Sequence, residues 1–284
     1  MGGTSYSPAH EVEENFNVEL VANRQLRSHR WTVPLLHAFK HRQTFHMIFP
    51  WADGGNMVNM WATIKNVQPE AALDWFWTQC VYLAEAVAAT HACRMLHADI
   101  KPENVLCFTP KDGGEMATAH SPIPFEVRLA DFGISTQVDG LGLMVGNDWF
   151  RHTRTQRPPE IDVNMGGVGL PADVWSLGCV YLDFATWLLL GNPRLLSFAE
   201  RRIDELNDPD GEYPPIEEDT YFKVVDIPPE QSVNRCHEAT KAVVKDSVSE
   251  VRSRIKWDLA LIDSRIYDSL LRIEAWVVAF PGSL

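Results

Sequence analysis

The sequence predicts an α+β fold that is mostly helical, and three observations carry that expectation. Two long stretches, 69–91 and 171–191, are helical by pattern and punctuation. Pro69 and Pro171 suit first-turn positions, Gly191 stands past the second helix, and Leu73, Phe76, Cys80, Leu83, Val87 and His91 recur at the helical period. Two β-rich runs, Val105–Phe108 and Val127–Ala130, are separated by turn residues such as Lys111-Asp112-Gly113-Gly114 and Ser121-Pro122, so they can close as a hairpin around a surface insertion. Apolar residues make up 45% of the 284, and 10 residues are Trp, which supports a sizeable packed core and argues against disorder.

Taken in order, residues 11–29 read as an amphipathic helix with Val12, Phe16, Glu19, Asn23 and Leu26 on one stripe. Glu19 is then a carboxylate among apolar neighbours, which must be paired unless it lies at the stripe's edge and reaches water. Leu35–Phe39 and Phe45–Phe49 read as two strands, and Trp61 falls on a short helix after Pro50-Trp51-Ala52-Asp53-Gly54-Gly55. The aromatics Trp75, Phe76 and Trp77 of the 69–91 helix read as core and rim rather than as a ligand box. Residues 204–235 are acidic and Pro-rich, an irregular exposed connection, and 236–279 return to helical periodicity. Neither an internal repeat nor a domain linker is visible.

The formal net charge of −13 argues against a nucleic-acid or anionic-membrane surface. Five scattered Cys without a C-x-x-C pair make no disulfide framework and point to a reducing compartment. Met1 to His10 has neither the basic nor the apolar part of a signal peptide, and the most apolar window, Leu177–Leu190, contains Asp183 and is short for a bilayer span. The expectation is an intracellular protein, cytoplasmic or nuclear, with a buried helix there.

The chemistry concentrates in His97-Ala98-Asp99-Ile100-Lys101-Pro102-Glu103-Asn104, which places a carboxylate, an ammonium and a carboxamide within six residues. Phosphoryl transfer needs a carboxylate to orient and accept the proton of an attacking hydroxyl, a cation to balance charge, and an oxygen ligand for Mg²⁺. This stretch resembles the catalytic loop of eukaryotic protein kinases, H-R-D-x-K-x-x-N. Three further motifs follow in the family's order. Asp131-Phe132-Gly133 matches D-F-G, Arg157-Pro158-Pro159-Glu160 resembles A-P-E with Pro for Ala, and Asp173-Val174-Trp175-Ser176-Leu177-Gly178 resembles the start of the helix buried under the catalytic loop.

The resemblance implies a kinase-like large lobe over 50–284 and a remnant of the small lobe over 1–49, with ATP and Mg²⁺ as cofactors and a protein hydroxyl as substrate. It casts Asp99 as catalytic base and Lys101 as the γ-phosphate contact, a lysine typical of Ser/Thr rather than Tyr kinases. Asn104 and Asp131 match the Mg²⁺ ligands, and Phe49, Pro50, Ala52 and Asp53 match the hinge that faces the nucleotide base. Structural parts fall to Glu19, to His97 and Phe132 beneath the helix of Glu19, to Asp173, and to an ion pair between Glu160 and Arg265. Asp173 reads equally as a plain helix cap. Residues 134–157 match the activation segment.

Two departures qualify the resemblance. No lysine precedes Lys40 and no G-x-G-x-x-G occurs, so the expectation is either a truncated kinase or a degenerate member that acts as a pseudokinase scaffold or binding module. Ala98 replaces the family's Arg, which would receive a phosphate on the activation segment, so Thr153 and Thr155 are weak candidates for activating sites.

Overall fold

The computed structural model describes residues 8–110, 122–138, 143–144, 155–163, 168–207, 218–226 and 240–262. Helix α1, Pro8–Gln25, is followed by an antiparallel hairpin of β1 (His37–His41) and β2 (Thr44–Ile48), with His37 opposite Ile48. Between them, Trp31 to Val33 run beside a later strand. Leu129 N–H donates to the Trp31 carbonyl (2.9 Å) and Val33 N–H to the Leu129 carbonyl (2.8 Å), so this reduced small lobe is stitched to the rest of the chain by backbone.

The helical part is built on α3 (Pro69–Ala92) and α4 (Pro171–Leu190), with the short α2 (Met57–Thr63) beside them. Every apolar stripe residue of α3 from Leu73 to Val87 is buried. Phe184 of α4 is the centre of the core: the rings of Phe76 (4.7 Å), Trp75 (5.5 Å) and Trp187 (6.1 Å) surround it. Tightly packed aromatics of this kind bury the largest areas and favour edge-to-face contact. Among the described residues, α4 alone is long and apolar enough to cross a membrane, and 67% of its apolar window is buried inside the protein.

Two short strands, β3 (Met95–Leu96) and β4 (Val105–Phe108), follow α3, and β4 pairs with β5 (Glu126–Leu129) with Val105 opposite Leu129. β3 pairs with β6 (Thr136–Gln137), and β7 (Leu143–Met144) with β8 (Val168–Gly169). After α4 come α5 (Asn192–Asp204), β9 (Phe222–Asp226), β10 (Thr240–Val244) and α6 (Asp246–Ile262). The architecture is α+β and mostly helical, with only two-stranded sheets among the described residues.

The structure corrects the sequence reading in four places. α1 ends at Gln25, not at residue 29, and Val12 is 55% exposed while Ala22, Asn23 and Leu26 are buried, so the buried face occupies only the last turns. The hairpin strands start two residues later than Leu35 and end one residue before Phe49, because the turn at Arg42 (φ 55°) sets the register. β9 lies inside the stretch read as irregular, and β10 inside the stretch read as helical. Their Val-rich segments pair from Phe222–Val244 to Asp226–Thr240, a long-range contact that local periodicity does not report. Helix α5 was not read from the sequence, although Pro193 in its first turn and the helical spacing of Leu195, Phe198 and Arg202 mark it.

Candidate active site

The catalytic-loop segment is held from below by one carboxylate. Asp173, in the first turn of α4 and 1% exposed, accepts the backbone N–H of His97 on Oδ2 (2.8 Å) and of Ala98 on Oδ1 (2.9 Å). His91 Nε2, at the end of α3, lies 2.9 Å from the same Oδ2. Three partners thus converge on a buried group that would otherwise be destabilising. Ala98 takes a left-handed backbone (φ 68°), a conformation costing an alanine roughly 1 kcal/mol, and its bond to Asp173 offsets that cost. The sequence reading found Asp173 but gave His91 no part beyond its place on a helical stripe.

Above this support, the functional side chains meet at Asp99. Lys101 Nζ lies 2.7 Å from Asp99 Oδ2, and Asn104 Nδ2 donates to the same oxygen (2.7 Å) and to the Asp99 carbonyl (2.9 Å). An amide oxygen pointed at a carboxylate would be repelled, so the nitrogen of Asn104 is committed to Asp99 and its Oδ1 is turned away. The 3₁₀ turn Pro102–Asn104 delivers Asn104 to this position, and the Ala130 N–H donates to the Asn104 carbonyl (2.9 Å). The β4–β5 hairpin therefore brings Asp131 next to Asn104 although 26 residues separate them in sequence.

Asp131 is exposed, in a left-handed backbone (φ 64°), and its Oδ1 accepts the Gly133 N–H (3.2 Å). Phe132 is buried and packs on the His97 ring (centroids 4.7 Å apart), and His97 Nε2 lies 3.1 Å from the Ala130 carbonyl. Glu19 on α1 approaches the same corner: a Cβ built on Gly133 would stand 3.8 Å from its Oε2. Burial, and then the nearby Asp131 carboxylate, push the Glu19 carboxyl above its usual range, and no lysine faces it among the described residues.

The connecting segment after β2 is fixed by backbone. Gly54 N–H donates to the Cys107 carbonyl (3.1 Å) and Cys107 N–H to the Gly55 carbonyl (2.8 Å). Asp53 accepts the Thr109 backbone N–H (2.9 Å) and hydroxyl, so its side chain is tied to the end of β4. Phe49 and Ala52 stand half-buried with Leu106 against Val33, Phe108 and Ala130, while Trp51 is 88% exposed and Pro50 half-buried. Burial pushes the Glu160 carboxyl up; Arg265 and Thr153 lie outside the described residues, and the Thr155 hydroxyl is bonded to Asp219.

These donors suit the groups that phosphoryl transfer uses. Hard oxygen ligands, Asn104 Oδ1 and the Asp131 carboxylate, fit Mg²⁺, and the half-exposed apolar cluster around Phe49, Ala52 and Leu106 fits the face of a purine base. A loop-held Asp–Lys–Asn set joined by a hairpin to an exposed Asp is an arrangement that phosphoryl transfer can use. Residues 5–195 match the protein kinase domain family, so the chain belongs to the eukaryotic protein kinase superfamily. It is 28% identical over 182 residues to cyclin-dependent kinase-like 1 of Caenorhabditis elegans, covering 62% of this chain and 45% of that protein. It is 29% identical over 226 residues to CBL-interacting protein kinase 22 of Oryza sativa subsp. japonica (74% and 46%), and 27% over 194 residues to an Aurora kinase of Dictyostelium discoideum (68% and 43%). The chain spans less than half the length of each of these relatives.

Proposed function

We propose that this chain is a protein serine/threonine kinase that moves the γ-phosphoryl group of ATP to a protein hydroxyl inside the cell. The observation that carries the reading is the convergence of Lys101 and Asn104 on one oxygen of Asp99, with Asn104 hydrogen-bonded through its carbonyl to the residue before Asp131. The same reading divides the chain into a reduced small lobe, 1–49, and a large lobe, 50–284.

In this reading, Asp99 orients the substrate hydroxyl and accepts its proton, a role worth roughly 10²–10⁴ in rate. Lys101 holds the Asp99 carboxylate before substrate arrives and offers its ammonium to the transferring group. Asn104 Oδ1 and Asp131 hold Mg²⁺, which when bound neutralises phosphate charge. Phe49, Pro50 and Ala52 flank the base, while Asp53 keeps that segment on β4. The Glu160–Arg265 pair belongs to the large lobe and does no chemistry. A nucleotide-binding module without transfer is the second reading, and Glu19 favours it: a half-buried carboxylate with no lysine against it among the described residues lacks one means of holding the phosphates.

Titrating ATP into the chain by calorimetry, with and without Mg²⁺, tests the site. Binding should require Mg²⁺ and should fall at least tenfold in Asp131→Ala. Equal affinity under all four conditions rules out the assigned metal ligands.

A further inference from the structure

A groove of about 690 Å³ opens beside the catalytic loop, between α2, α4 and α5, and Lys101 and Glu103 form part of its wall. Its apolar lining includes Val58 and Leu196, both exposed, and Leu195 and Ala199, both half-exposed. Three carboxylates, Glu103, Asp183 and Asp219, line it as well. Three acids against an apolar wall would ordinarily receive a cationic side chain.

That place is already taken. Arg202 of α5 is 2% exposed, and its guanidinium lies 4.1 Å over the Phe198 ring and 4.3 Å from the Tyr221 ring. Its Nε donates to the Asp219 carbonyl (2.9 Å) and its Nη2 to Asp219 Oδ2 (3.1 Å), while Nη1 stands 3.6 Å from Asp183 Oδ1. That last separation is too long for a hydrogen bond, and neither atom has another partner among the described residues. The other oxygen of Asp219 accepts the Thr155 hydroxyl. A second cation entering the groove therefore meets a spent Asp219 and a fixed guanidinium of like charge. Of the three acids only Glu103 is exposed, while Asp183 is buried against Arg202.

We propose that Arg202 is a specificity-determining residue, an internal guanidinium that neutralises the Asp183 and Asp219 carboxylates lining this groove so that the site takes an apolar rather than a basic substrate residue beside the acceptor hydroxyl. This rests on the protein-kinase reading above. Recognition then falls to Val58, Leu195 and Leu196. Burying one leucine side chain there is worth about tenfold or more in affinity. Removing Arg202 should uncover a guanidinium site of two rings and two carboxylates, a fork-and-face geometry suited to arginine.

The test needs no phosphotransfer. Fluorescent serine peptides, with Leu or Arg scanned through the positions flanking the serine, are titrated into the full chain and into Arg202→Met. The unaltered chain should bind its best Leu peptide about tenfold more tightly than the Arg counterpart, and Arg202→Met should reverse that order. In parallel, low-millimolar guanidinium should raise the melting temperature of Arg202→Met saturably relative to equal sodium chloride, and should leave the unaltered chain unchanged. A preference for Arg in the unaltered chain, or no peptide binding at all, overturns the proposal; so does a folded Arg202→Met without a guanidinium response. Should Arg202→Met fail to fold, the peptide order on the unaltered chain still decides. Loss of Mg²⁺-dependent ATP binding would defeat the kinase reading separately, since neither peptide binding nor the melts involve nucleotide.

Discussion

Asp183 shows how a single residue's surroundings set its chemistry. It lies on the core helix α4 and is buried, and desolvation pushes its carboxyl up to about 6 although Arg202 pulls the other way. Tyr221, Asp219 and Glu103 also act on it. Its usual value is 3.8, so between about pH 4 and pH 6 the unfolded chain releases a proton that the folded chain keeps. The fold is then favoured at the lower pH, and this contribution is lost as pH rises through the window. Relative to Asp183→Asn, the unaltered chain should lose on the order of 2–3 kcal/mol of stability from pH 4 to pH 6. Urea midpoints of both proteins at half-unit pH steps measure it, and a constant difference across the window contradicts the assignment.

At the scale of elements, two joints hold the site. The first is Asp173, the shared acceptor for His91, His97 and Ala98. Asp173→Ala leaves buried donors without partners and should cost about 1–3 kcal/mol, or more if the catalytic loop detaches. A thermal melt unchanged by the substitution would show that the loop does not depend on α4. The second joint is the approach of the segment after β2 to β4. A Cβ on Gly54 would stand 2.8 Å from the Cys107 Cβ and 2.8 Å from the Phe125 ring. Gly54→Ala should therefore destabilise by about 1–3 kcal/mol through overpacking, with nucleotide affinity falling alongside, and unaltered affinity and stability would mean the strand pairing yields easily. The long helices and the β4–β5 hairpin were legible because their signals are local: Pro at the first turn, an apolar period, and turn residues between β-rich runs. The β9–β10 pair was not, because a strand's partner lies far along the chain and its apolar alternation over five residues is too short to outweigh a helical period nearby. α1 was legible as a helix, but which of its faces is covered depends on what packs there, and Val12 turned out to face solvent.

For the whole molecule, a reduced small lobe rests on a large lobe that carries the family's motifs in order, with Ala98 and Pro158 as departures. The residues around Asp99 were visible in the sequence because the loop presents them in one short run. The Arg202–Asp183–Asp219 cluster was not, since its members come from two helices and a loop and match no spacing rule. Glu19 was visible as an acid on an apolar stripe. The structure adds that its carboxyl is raised by burial and by the nearby Asp131 carboxylate, with no lysine facing it among the described residues. On the proposed function, the Asp99 site has its base and its metal ligands but little positive charge near the phosphates among the described residues.

The most direct measurement is γ-phosphate transfer from Mg·ATP to a serine peptide by the unaltered chain and by Asp99→Asn, followed under single-turnover conditions. Slow incorporation by the unaltered chain is expected, falling roughly 10²-fold or more in Asp99→Asn. Equal incorporation by the two proteins would contradict it, because phosphoryl transfer would then not run through Asp99.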